Sequence, residues 1–233
     1  MKRIILALLI AVSISGALSA GNIAFDFYKE SFESGTVEKT GGFLYMKMGN
    51  AGGENVFYFH ITFPVNQIIE FTKKETQIYY PDEKKAIIMG NKEAVSAGNF
   101  MDPAAKKLDL KALGFKLKEL KKSKSGVKEV WVPSNITGSP FKSVTMEKDS
   151  EDKLMKMEMK AKNGSVMTRL EYANYVKIGE KKMPLYIKTY AGGDKQSYQE
   201  IISLSAVKDN AKLPDIIQNF KIPEGASVQR VQF

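Results

Sequence analysis

The stretch 166–228 constrains this chain more than any other. It holds three long runs with a two-residue period, and side chains two apart share a face only on an extended strand. Residues 166–178 lead into a turn at Gly179, and residues 183–190 follow. Ala191-Gly192-Gly193-Asp194 then has the composition of a hairpin turn. Residues 197–207 make the third run. Leu185 and Ile187 alternate with Tyr186 and Lys188, and Ile202, Leu204 and Ala206 repeat the pattern. Consecutive strands with one apolar face are expected. A short docking tail follows, with Leu213-Pro214-Asp215, Phe220 and Ile222-Pro223-Glu224-Gly225-Ala226.

A tyrosine-rich strand, the strand start Lys181-Lys182-Met183-Pro184, a glycine hairpin and that terminal tail stand in a particular order and spacing. Together they resemble the periplasmic lipoprotein carriers of the LolA family and their outer-membrane lipoprotein-sorting relatives. The resemblance covers this stretch well and the upstream strands more loosely. It implies an incomplete, strongly curved antiparallel β-barrel with a short α-helical lid. It also implies a hydrophobic cavity for the acyl chains of lipoproteins, or of a phospholipid or glycolipid. The implied partners are an inner-membrane release complex and an outer-membrane acceptor. Two departures stand out. Carriers have a helix before their first strand, whereas here a strand begins almost directly after the expected cleavage near Ala20. They also place an arginine that helps latch the lid where this chain has Met48 after Lys47. Periplasmic regulators of anti-sigma factors share the fold and give a second reading, a lipid or stress sensor. A structural exported β-protein with a filled core is the third.

Ahead of the strands, Lys2 and Arg3 precede an apolar run, 4–12, and the small residues of Ala17-Leu18-Ser19-Ala20. This is the pattern of a secretory signal cleaved near Ala20, and the apolar run is too short to span a bilayer. The chain is expected to be exported to a periplasm, with residues 21–233 as one lipid- or lipoprotein-binding domain acting as a monomer. It has 233 residues and no cysteine. A disulfide framework and a thiolate metal site are therefore excluded.

The upstream chain reads as a meander. In 22–32, Ile23, Phe25 and Phe27 share a face; in 43–48, Leu44, Met46 and Met48 do so. Val56–Phe63 is the most hydrophobic strand, with Phe57, Phe59, Ile61 and Phe63 aligned. Residues 67–71, 77–80 and 85–89 are shorter strands. In 154–160, Met155, Met157 and Met159 alternate with Lys156, Glu158 and Lys160. These aligned aromatic and methionine faces are an ordinary core on one reading and the wall of an acyl-chain cavity on the other. Methionine is unbranched and polarizable, so it suits a ligand without one fixed shape.

One helix is expected at 102–113. Asp102 is a good N-cap, Pro103 suits the first helical position, and Gly114 ends the run. Its apolar residues include Leu108 and Leu113. Packed on a sheet this helix is structural; across a barrel mouth it is a lid, which the resemblance favours. The hairpin 115–132 carries Lys116, Lys118, Lys121, Lys122, Lys124 and Lys128. It is either a solvated edge that resists strand pairing or a basic patch for an anionic membrane or acidic partner. Nucleic acid is not expected, because aromatics are not interleaved with the lysines. The lone histidine, His60, sits mid-strand, no nucleophile elbow or carboxylate cluster occurs, and no enzyme, metal or cofactor is expected.

Overall fold

The computed structural model describes residues 21–47, 56–72, 74–90, 110–135, 139–178, 181–193 and 196–231. Among these residues fourteen strands form one sheet. In chain order they are β1 (Asn22–Glu33), β2 (Thr36–Lys47), β3 (Val56–Phe63), β4 (Gln67–Phe71), β5 (Glu75–Tyr80), β6 (Lys85–Gly90) and β7 (Phe115–Ser123). Then come β8 (Gly126–Pro133), β9 (Phe141–Asp149), β10 (Leu154–Ala161), β11 (Val166–Ile178), β12 (Lys181–Gly193), β13 (Gln196–Lys208) and β14 (Ser227–Val231). The spatial order is β14-β6-β5-β4-β3-β2-β1-β13-β12-β11-β10-β9-β8-β7. Two antiparallel meanders, β1–β6 and β7–β13, are thus joined side by side where β1 pairs with β13. Among the described strands only β14 is parallel to its neighbour, β6.

The sheet is strongly curled and not closed, which makes it the incomplete β-barrel expected from the sequence. One hydrophobic cluster runs along the concave side, from Met89 on β6 near one end of the strand order to Phe115 on β7 at the other.

Bulges set which side chains point inward. Between β2 and β3 the register shifts, with Gly41 opposite Phe63 and Gly42 opposite Ile61, so Thr62 is the extra residue. A Cβ on Gly42 would lie 2.1 Å from the His60 carbonyl oxygen and 2.8 Å from Ile61 Cα. Glycine here lets two backbones approach at a bulge. Gly42→Ala is expected to destabilise the fold by about 3 kcal/mol or more, read from a denaturant midpoint, because the obstructing atoms are backbone. An unchanged midpoint would mean that the bulge is not needed. By composition Gly35 and Gly41-Gly42 bracket a turn, but the glycine pair lies inside β2. The turn itself is Ser34-Gly35, both at positive φ.

The C-terminal tail packs on the convex side. Leu213 and Ile217, the latter in the four-residue helix α1 (Asp215–Gln218), are buried against Tyr45, Tyr58 and Ile68. Phe220 meets Tyr58 edge-on at 6.2 Å. Even-numbered β3 residues such as Tyr58 thus face the tail while Phe57, Phe59 and Ile61 face inward. The tail docks as expected, then adds β14 to the edge of β6, an element the sequence reading did not include.

Candidate functional site

The concave face is lined by apolar side chains from nearly every strand. Phe25, Phe27, Leu44, Met46, Phe57, Phe59, Ile61 and Met157 from the sequence-derived set all belong to its buried cluster. Met159 is half-buried and packs against it. Phe59 stands edge-on to Phe27 at 5.2 Å and to Phe71 at 5.8 Å, an aromatic row across β1, β3 and β4. Met89, Met146 and Met183 join the same cluster from β6, β9 and β12. Met183 was legible by period two, in step with Leu185 and Ile187 on β12, whereas no other methionine repeats beside Met89 or Met146 on its own strand.

Three of the expected residues lie elsewhere. Phe63 is 57% exposed, because it follows the bulge at Thr62 and the side-chain parity is inverted there. Met155 is exposed for the same physical reason. The register shifts between Leu154 and Lys156 on β10, so Met155 is the extra residue and turns away from Met157. Leu113 is exposed in a turn. Its neighbours Gly114 and Phe115 donate backbone hydrogen bonds to Lys111 and Leu110, at 2.9 and 2.8 Å. With Gly114 at φ +81° the two bonds have the geometry of a Schellman turn, at the glycine the sequence indicates. Leu110, not Leu113, is the buried residue of this turn and joins the concave cluster. Met48 and Leu108, and with them most of the expected lid, lie outside the described residues.

The lining is not apolar throughout. On β1 the inward row Ile23, Phe25, Phe27 continues into Lys29 and Ser31, both buried. On β13 the row Leu204, Ile202 continues into Glu200, which is 3% exposed. Register sets Glu200 opposite both Ser31 and Thr189. Lys29 Nζ lies 3.6 Å from Glu200 Oε2, and the Tyr198 hydroxyl donates to the same carboxylate at 2.7 Å. Burial raises the Glu200 pKa, while Tyr198 and Lys29 hold it back. The concave face is therefore amphipathic along its length: aromatic and methionine-lined at one end, with a buried ion pair near the β12–β13 hairpin. This polar end was legible by period two, since Lys29 follows Phe25 and Phe27 at the right interval. His60 faces the convex side beside Phe43, and burial lowers its pKa.

Two hollows open on the surface. One, about 340 Å³, is beside the tail between Ala24, Phe43, Tyr45 and Pro214. The other, about 750 Å³, is at the β7–β9 end of the sheet.

No protein-family model matches this sequence, and no curated protein matches it either. Solved structures do match its fold. A Vibrio parahaemolyticus domain described as an outer-membrane lipoprotein-sorting protein aligns at a TM-score of 0.57 and 13% identity, over 86% of this chain and 90% of its own. A DUF1329 family protein of Desulfovibrio piger gives 0.54 and 10% identity, over 87% and 91%. A LolA superfamily protein of Nitrosomonas europaea gives 0.50 and 13%, over 86% and 90%. The fold of this chain is LolA-like. No helix among the described residues is long and apolar enough to cross a membrane.

Proposed function

We propose that this protein is a periplasmic carrier that takes the acyl chains of lipoproteins, or of related lipids, against its concave face and shuttles them toward the outer membrane. The observation that carries the reading is the single apolar lining shared by strands from both meanders inside a sheet that stays open along one seam. A closed barrel has a fixed girth. An open curl can widen between β7 and β14 without breaking a strand ladder. The lining is rich in methionine and aromatic side chains, which adapt to a flexible chain. Sheltering a sixteen-carbon chain is worth roughly 0.8 kcal/mol per CH₂, on the order of 10 kcal/mol in all. That is enough to hold a lipid in water and still yield it to a stronger acceptor. The buried polar end suits the head of an amphiphile whose tail lies along the apolar end. In this reading no bond is made or broken, and the chain that acts is the exported one, cleaved near Ala20. The named neighbours in lipoprotein sorting support the same reading through their shared fold.

The test is organic extraction of the protein purified from its periplasm, followed by lipid mass spectrometry. Stoichiometric acylated species are expected. A lipid-free protein that also fails to take up a fluorescent fatty acid contradicts the reading.

A further inference from the structure

We propose that the lysine-rich edge of the sheet docks the open seam against a bilayer surface rich in anionic phospholipid. Its use in lipid delivery rests on the carrier reading; the membrane binding does not. Among the described residues β7 is the last strand of the sheet, so one side of it has no strand partner. Every β7 residue after Phe115 is exposed. Lys116 and Lys118 on β7, Lys142 on β9 and Lys162 beyond β10 line the hollow of about 750 Å³, with Val132 and Phe141 between them. No carboxylate among the described residues stands within ion-pair distance of Lys116, Lys118 or Lys142. Nearby lysines differ: Lys121 pairs with Glu119 at 2.8 Å and Lys128 with Glu147 at 2.9 Å. Lys116, Lys118 and Lys142 thus stand at the hollow without an ion-pair partner among the described residues, whereas Lys121 and Lys128 each have one.

Lysines that served only to block strand pairing would need no greasy neighbours. This edge also exposes Leu117 and Leu120, at 42% and 48%. Ammonium groups beside exposed leucines fit a headgroup boundary, where charge meets phosphate and the apolar side chains dip beneath it. A second copy of the chain fits poorly, because pairing two such edges sets lysine against lysine. Since β7 and β14 are the two ends of the open sheet, the basic edge is one lip of the seam.

Flotation of the full chain with vesicles tests this. Binding to mixed phosphatidylcholine–phosphatidylglycerol vesicles is expected, with little to phosphatidylcholine alone, and it should vanish in high salt as screening shortens. The triple variant Lys116→Glu, Lys118→Glu, Lys142→Glu should bind the mixed vesicles about a hundredfold more weakly. A control with the same charge change elsewhere, Lys177→Glu, Lys208→Glu, Lys221→Glu, should stay near wild type. Equal binding to both vesicle types, or equal losses in both variants, overturns the proposal. So does a concentration-dependent dimer that only the first variant abolishes. Uptake of a fluorescent fatty acid separates the two readings. Uptake intact in the triple variant is expected, whereas vesicle binding without any uptake by wild type sinks the carrier and leaves the docking surface standing.

Discussion

Phe59→Glu is expected to abolish acyl-chain uptake. Phe59 sits at the centre of the aromatic row, edge-on to both Phe27 and Phe71, and is 6% exposed. A carboxylate there faces only apolar side chains. It either stays charged at a prohibitive solvation cost or takes a proton, and in both states it repels a hydrocarbon tail. The same substitution should lower stability by about 4 kcal/mol or more, since it combines a cavity with an unpaired polar group. Uptake of a fluorescent fatty acid must therefore be read alongside a thermal melt. Met159→Glu carries the same test at a half-buried position on the same face, where the fold should persist. Phe59→Leu, which keeps the site apolar, should retain uptake. Normal uptake by a folded Met159→Glu or Phe59→Glu protein removes the concave face from the binding account.

Lys29→Met is expected to destabilise the protein by about 3–5 kcal/mol near neutral pH, because it strands Glu200 as a buried, unpaired carboxylate. The double variant Lys29→Met, Glu200→Gln should recover much of that loss, since a buried ion pair can be replaced as a unit more cheaply than broken. The pH dependence has a definite sign. Burial raises the folded-state pKa of Glu200 above its unfolded value. The folded state then holds the proton at pH values where the unfolded chain has released it, so stability falls as pH rises through that window. Removing Lys29 raises this pKa further. The deficit of Lys29→Met should accordingly be greatest at pH 7 to 8 and shrink as pH approaches the ordinary carboxylate range. Urea midpoints across that range check it. A flat deficit, or no recovery in the double variant, would show that Lys29 acts through packing alone.

The strands were readable because alternation is a local property. Val56–Phe63, Gln67–Phe71 and Val166–Ile178 run as the sequence indicates, and their meander order makes an antiparallel sheet, while its open curl was implied by the resemblance. What eluded the sequence is mostly non-local. A bulge is a relation between two strands, so nothing within 154–160 announces that Met155 breaks step with Met157. The same holds for Phe63 beyond Thr62. The glycine pair on β2 looked like punctuation because a turn and a close backbone approach demand the same residue. Leu110 displaced Leu113 as the inward residue because the Schellman closure, not helical periodicity, sets the last turn before β7. The Lys29–Glu200 pair was half legible. Each residue falls on the inward parity of its own strand, but that the two meet depends on β1 pairing with β13 across most of the chain length.

The most direct measurement is photo-crosslinking of the protein with a diazirine fatty acid, with the labelled residues mapped by mass spectrometry. Adducts should fall on the concave set, around Phe59, Met157, Met159 and Leu204, and be competed by unlabelled fatty acid. Labelling confined to the convex side near Phe43, Tyr45 and Tyr58, or labelling that no competitor reduces, would contradict the account.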